Sequence, residues 1–551
     1  MREMVGNASM SELRTLVKNY YAAWLRFHPE AAVDLGMEGY SDRLTPCNED
    51  NIGALIALDE KLLGSLDELD NGQLDDGDCL EVRLMYGAAL LEIEALTERD
   101  WRRRQPARFL PINAIYQLTL RHVADLQSAL SRRLAAIPAY LREARTFLQE
   151  EPARIPPLWL EAAITEAQQG AVYLHSLRQD PRVSHFRLDN ELEQAAVTVE
   201  QFGGFLQRDL ASLAQGDFAC GKAAFERMLR YRHGLDISAQ QLHHFGEQLF
   251  NQTLADLRSE AQRLRGDEDI EAMMASIQAN VPPVSQLLSL YREGMDAAHE
   301  FVAQHKLVAL PQNESLKVVE TPAFLRHQIP FAAYLEPTPN DARQQGYYYV
   351  TLPEDDSALG EHNRLGVLHT CVHEAWPGHH LQFVTANRQP RSSSLPRLLN
   401  PSATLYEGWA LYCEQLMQES GFLAAPESRF MLLRDRLWRA LRVMLDVELQ
   451  TRGLGVPEAV ERMQQALGFT RQQALGEITW YTMHPTVPMS YAVGWALINA
   501  TRERLQGLQQ PFELAEFHHR LLAEGSVPLP YVLQGQFGEP LWQSIKRKVF
   551  A

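Results

Sequence analysis

Apolar residues recur with the 3.6-residue period of a helix from residue 1 to about residue 310. Examples are Leu13, Leu16, Tyr20, Ala23 and Trp24, and later Leu242, Phe245, Leu249 and Leu254. Strand-like alternation is almost absent there, so this portion must bury its apolar side chains by packing helix on helix. Breakers are sparse: Pro138, the cluster from Pro152 to Pro157, and the Pro282-Pro283 pair. The character changes near Leu307. LKVVE (316–320), FAAYLE (331–336) and GYYYVTL (346–352) are short, β-branched or aromatic, and bounded by Pro, Asn and Gly, which predicts a small sheet. Helical periodicity resumes at about Leu365 and continues to the end. The expected fold is mainly α, a large multi-helix fold with one small β-sheet just before the segment that carries the chemistry. Residues 1–310 read as a helical scaffold domain and residues 311–551 as a metal-binding catalytic domain.

Composition narrows the function. With 551 residues, 46% of them hydrophobic and 22% charged, the chain can bury a sizeable core, which excludes global disorder and a small disulfide scaffold. Asp and Glu number 70 against 52 Lys and Arg, a formal charge of −18. Such a surface repels phosphate backbones, so nucleic acid and anionic membrane surfaces are not expected partners. No uncharged apolar run approaches the ~18–20 residues that span a bilayer. The N-terminus, MREMVGNASMSELRTL, has no apolar h-region. The five cysteines (Cys47, Cys79, Cys220, Cys371 and Cys413) are odd in number, widely spaced and without a CxxC pair. They read as reduced thiols in a cytoplasmic protein.

Two charge-poor windows carry the chemistry. From Leu365 to Asn387 the only charged residue is Glu374, and the same stretch holds His369, His373, His379 and His380. A lone carboxylate in an apolar setting is costly unless paired, and the imidazoles around it point to a metal. In the second window, residues 398–413, Glu407 is the only charge. Asn400 reads as an N-cap and Pro401 as the first helical residue. On that helix Leu405, Trp409, Tyr412 and Leu416 share one face, while Glu407, Leu411 and Glu414 lie opposite. Glu407 is thus a second buried carboxylate in need of a cation.

Histidines beside a Glu, with another Glu on a later helix, suit zinc, which takes nitrogen and oxygen ligands and keeps one position for water in catalytic sites. The short zinc-protease motif places its two His four residues apart on one helical face. Here the fourth residue after His373 is Pro377, which removes the helical bond to the His373 carbonyl, and Gly378 adds freedom. A widened or broken turn brings His379 back beside His373, so His379 is the expected second ligand. His380, at i+7, is held in reserve. The His369–His373 pair ranks third, because no Glu lies between its members.

The segment His373-Glu374-Ala375-Trp376-Pro377-Gly378-His379-His380-Leu381-Gln382 resembles the HEAYPGHHLQ signature of the domain-of-unknown-function 885 family. Glu407-Gly408-Trp409-Ala410-Leu411-Tyr412 is similar to its EGWALY block, GYYYVTLPED (346–355) to its preceding strand, and FHPEAAVDLGMEGYSDRL (27–44) to its N-terminal motif. The resemblance implies a mostly helical, zinc-metallopeptidase-like fold and hydrolysis of peptide or amide bonds. In that reading His373, His379 and Glu407 hold one zinc ion and Glu374 is the general base. Two stretches depart from the family. Its PGQALSY appears here as Pro485 to Tyr491, with Val487 replacing Gln. Tyr491 is the expected donor to the oxyanion of the tetrahedral intermediate, with Tyr481 and His484 as rivals. The family's RLVVDTGLH runs here from Arg442, with Gln450 in the place of His. Arg442 and Asp446, at i,i+4, are expected to pair; the other role for Arg442 is to grip a substrate carboxylate.

The function these readings lead to is a zinc-dependent hydrolase of short peptide or small amide substrates. Two alternatives stand beside it: a specialised biosynthetic or detoxifying metalloenzyme acting on a non-peptide small molecule, and a metal-free binding protein on a decayed peptidase fold.

Overall fold

The computed structural model describes residues 2–326, 328–354, 359–390, 392–508 and 511–551. These form two compact units. One comprises residues 1–218 with 322–330 and 338–341; the other comprises 219–321 with 331–337 and 342–551.

The first unit is built from helices such as Glu49–Glu68, Asp76–Thr97, Leu126–Glu150, Pro157–Ser176 and Asp189–Phe205. Its core is apolar and closed, with Leu130, Ile137, Leu148, Leu174, Val199 and Phe202 all fully buried. Pro138 lies inside the Leu126–Glu150 helix rather than ending it. Leu134, Ile137 and Leu141 are buried on either side of it, and that packing outweighs one missing backbone bond.

The second unit is mainly α with one small sheet, as the periodicity predicts. The sheet has the order β1-β3-β2, with β1 (Ser315–Glu320) parallel to β3 (Gln345–Val350) and β2 (Ala332–Leu335) antiparallel to it. It precedes the helix Arg364–Glu374, which ends in His373 and Glu374. Sequence character changes near Leu307, whereas the compact units part at 218/219. The difference arises because Ala239–Arg265 packs along Ser428–Thr451, and Val284–His305 packs against Arg364–Glu374. Among the described residues no helix is long and apolar enough to cross a membrane.

Candidate metal centre

His373 and His379 are brought together by a break in the chain. The first helix stops at Glu374 and the next, His379–Arg388, begins after four intervening residues. Gly378 makes the break possible. Its N–H donates to the Val372 carbonyl at 3.1 Å, and a Cβ at this position would stand 1.9 Å from the His373 carbonyl oxygen. Only glycine tolerates that approach. The two imidazole rings then lie 4.8 Å apart, nearly perpendicular.

The third member comes from the helix Ala403–Glu419. The structure caps it with Ser402, not Asn400: the Ser402 hydroxyl accepts from the Thr404 N–H, and its own N–H donates to the Ser526 carbonyl. Asn400 instead turns back to the Pro396 carbonyl. The face carrying Leu405, Trp409, Tyr412 and Leu416 is buried as expected. Trp409 donates its indole N–H to the Pro377 carbonyl at 2.8 Å, which fastens this helix to the break and sets the height of Glu407 against His379. Glu407 Oε2 lies 3.3 Å from His379 Nε2 and 3.7 Å from His373 Nε2. One ligand atom from each of His373, His379 and Glu407 falls within 4.8 Å of the other two. Tetrahedral zinc with bonds of about 2.1 Å spaces its ligand atoms about 3.4 Å apart, close to the two separations between Glu407 and the imidazoles.

The electrostatics match. Burial alone would push His373 down, but Glu407 and Glu414 outweigh it and hold its pKa up at about 10. Burial would likewise raise Glu407, yet the two imidazoles hold it well below the usual carboxylate range. Glu414, buried against His369 and His373, is lowered to about 2. The cluster draws positive charge to itself.

Glu414 is the participant that sequence reasoning passed over. Its Oε1 accepts from His373 Nδ1 at 2.8 Å, which turns Nε2 towards Glu407; a carboxylate behind a metal-binding imidazole sets its tautomer and basicity. The available signal was its position seven residues, two turns, beyond Glu407. His369 lies on the other side of Glu414, 3.5 Å from Oε2, and is not in the cluster. His380 points away: its Nε2 donates to Glu314 Oε2 at 2.8 Å, and its Nδ1 lies 2.9 Å from the Tyr334 hydroxyl on β2. The sheet therefore claims His380 and leaves His379 for the centre. Glu374 is half-buried and lines a cavity of about 1240 Å³ together with His373, His369 and Glu414.

Tyr491 lies in the first turn of the helix Ser490–Gln506, and burial together with the charge of Glu407 pushes its pKa up. Its helix and the Glu407 helix touch backbone to backbone. A Cβ on Gly408 would stand 2.5 Å from Gly494 Cα, and one on Gly494 would stand 2.0 Å from the Thr404 carbonyl oxygen. His484 is exposed at the end of the preceding helix and bonds to the Trp480 carbonyl. The structure does not bring it to the cluster. Tyr481 is occupied by Arg442 and Glu477.

The expected Arg442–Asp446 pair is not formed. Arg442 donates to Glu477 and Tyr481. Asp446, fully buried, accepts the N–H groups of Thr486 and Met489. That bond steadies a turn in which Thr486 holds a left-handed φ of 68°, a conformation that non-glycine residues keep only under constraint. Arg232 and His233 hold the Thr486 hydroxyl from the other side. Gln450 joins distant backbone: its oxygen accepts from Cys220, and its amide donates to the carbonyls of Tyr481 and Thr482. The replacement of the family's His thus falls in a structural knot, outside the cluster.

No curated protein matches this sequence. A solved structure described as "a putative lipoprotein of unknown function from Shewanella oneidensis" shares the fold at TM-score 0.78 and 21% identity, over 95% of this chain and 99% of that one. One described as "the putative lipoprotein from Colwellia psychrerythraea" does so at TM-score 0.79 and 18% identity, over 98% and 99%. Metallocarboxypeptidase 1 of Trypanosoma cruzi aligns over 99% of both chains with 14% identity but a TM-score of only 0.43, too low to bear on the fold. The two lipoprotein descriptions overturn the expected cytoplasmic location. All five cysteines are free, but thiols held apart by the fold stay unpaired in any compartment and do not assign one. The family model described as "Bacterial protein of unknown function (DUF885)" matches residues 29–534, so the chain belongs to that family.

Proposed function

We propose that this protein hydrolyses peptide or amide bonds in short substrates, using one zinc ion held by His373, His379 and Glu407. The observation that carries this reading is the convergence of two imidazoles and a carboxylate, with Glu374 next to them on the wall of a large cavity. The donor set of two nitrogens and one oxygen suits zinc and leaves a ligand position open. Held there, zinc would supply Lewis-acid chemistry, polarising a carbonyl and lowering the pKa of a water. Glu374 takes the water's proton and later returns it to the leaving nitrogen. Tyr491 remains protonated, because burial and Glu407 both raise its pKa, and donates its hydroxyl to the carbonyl oxygen as charge develops. Glu414 keeps the His373 Nδ1–H engaged, so that Nε2 faces inward.

Glu374→Gln tests the assignment. It retains size and hydrogen bonding but cannot accept the proton. The expected result is a kcat lower by about 10²–10⁴-fold with one zinc per chain still bound, measured by peptide hydrolysis and metal analysis on one sample. Full activity in this variant removes Glu374 as the base.

A further inference from the structure

We infer that Glu314 is a positioning residue for the metal ligand His379. It acts through His380 and Trp376, and the small sheet is the clamp that holds the broken helix in ligating geometry. The inference rests on the reading of His373, His379 and Glu407 as a zinc site, and it adds what keeps one of those ligands in place. The two imidazoles are supported differently. His373 has Glu414 on its Nδ1 at 2.8 Å. His379 Nδ1 is buried and has no hydrogen-bond partner among the described residues. A metal-binding imidazole ordinarily engages its second nitrogen, which sets the ring's orientation. His379 lacks that support, so its direction comes from packing, such as the ring of Phe383 at 5.8 Å, and from its backbone.

One carboxylate holds the backbone on both sides of the break. Glu314 stands immediately before β1, and the adjacent Ser315 N–H donates to the Gln344 carbonyl at 3.2 Å, which ties this point to the sheet. The Glu314 side chain is only 3% exposed. Its Oε1 accepts the indole N–H of Trp376 at 3.1 Å, ahead of Pro377-Gly378. Its Oε2 accepts from His380 Nε2 at 2.8 Å, beyond them. With Nε2 donating, His380 Nδ1 is the bare nitrogen and accepts from the Tyr334 hydroxyl of β2 at 2.9 Å. β3 makes room for the ring: a Cβ on Gly346 would stand 2.9 Å from His380 Nδ1. His299 Nε2 approaches Glu314 Oε1 at 3.4 Å from the more exposed side. A buried carboxylate is costly unless donors meet it, and two of the donors that meet Glu314 belong to the residues flanking the break. His380 follows His379 directly, and a planar peptide of fixed length joins them. Fixing the His380 ring therefore restricts where His379 can point.

The test uses full-length protein in three variants. Glu314→Met removes both acceptors at similar size. Glu314→Asp keeps a carboxylate but draws it back by one methylene, too short to reach both donors. Glu314→Gln keeps the length, and its amide accepts from Trp376 while donating to His380, which changes tautomer. Zinc affinity is read by competition with a chelator, and amide hydrogen exchange of residues 375–381 is followed in metal-free protein. The expected result is that Glu314→Met weakens zinc binding by about 10–100-fold. Exchange in 375–381 becomes at least about tenfold faster, while the helix Ala239–Arg265 keeps its wild-type rates. Glu314→Asp gives the same changes in smaller measure, and Glu314→Gln recovers most of the affinity. Should Glu314→Met fail to fold, Glu314→Asp carries the comparison with Glu314→Gln. Wild-type zinc affinity in Glu314→Met overturns the proposal. Exchange that rises equally throughout the chain also overturns it and makes Glu314 a general stabiliser. If the wild type binds no zinc, the metal reading fails, while exchange in metal-free protein still decides whether Glu314 holds the break.

Discussion

Glu414 shows how a side chain outside the His373–His379–Glu407 cluster sets the direction of one of its members. Fully buried, it holds His373 by Nδ1, so Glu414→Gln is expected to weaken zinc binding by about 10–100-fold while the fold persists. Competition with a chelator measures this, and unchanged affinity would remove Glu414 from the site. The same contacts give a pH dependence in the metal-free protein. His373 has an ordinary pKa of 6.5 and is held at about 10 when folded, against burial, by Glu407 and Glu414. The raised pKa means that the stabilisation is fully present below pH 6.5 and is lost as pH rises through about 10. Thermal unfolding of metal-free protein across that window is expected to show a falling Tm, with a shallower fall in Glu414→Gln. Zinc competes for the same sites, so loading releases protons and tightens with rising pH. A metal-free Tm that is flat between pH 6.5 and 10 contradicts this account. The histidines His373 and His379 were legible from their setting in a stretch whose only charge is Glu374. The assignment of His380 to Glu314 and Tyr334 was not, because those partners lie 66 and 46 residues away.

Two helices meet beside the cluster because neither has a side chain at the crossing. Gly408 and Gly494 let the Glu407 and Tyr491 helices approach until their backbones touch. Gly494→Ala places a methyl 2.0 Å from the Thr404 carbonyl and must push the helices apart. The expected cost is about 1–3 kcal/mol of stability, and kcat falls because Tyr491 moves from Glu407. Denaturant unfolding and steady-state kinetics on one preparation test both parts; a variant with wild-type stability and kcat would show that the contact is slack. Gly408 sits in a motif quoted from the sequence, but its partner could not be read there, since 86 positions separate the two along the chain. The turn before Tyr491 has the same character. Asp446 looked like a helix-surface partner of Arg442, and it took the folded chain to place the N–H groups of Thr486 and Met489 over it.

Each compact unit buries its own titrating cluster. In the first, Asp59 is fully buried, accepts from the Tyr20 hydroxyl at 2.8 Å and faces Glu92, which in turn holds Trp24 and His28. Burial and the Glu92 charge push the Asp59 carboxyl from 3.8 up to about 8. The folded state thus keeps a proton that the unfolded chain has released, and stability falls as pH rises from about 4 to about 8. Asp59→Asn removes that titration and can still accept from Tyr20. It is expected to flatten this part of the stability profile and to match or exceed wild type at pH 8, measured by denaturant unfolding. A variant that keeps the slope would place the proton elsewhere.

Local pattern was enough for the classes of structure: helices where apolar residues recur every three to four positions, and a sheet where β-branched and aromatic residues cluster. Those properties depend on near neighbours and on the water each segment must avoid. Which imidazole faces the cluster and which carboxylate stands behind it were decided by tertiary packing. Each depends on side chains brought within about 3 Å from distant positions, and hydrogen-bond direction at that range is set by the folded backbone.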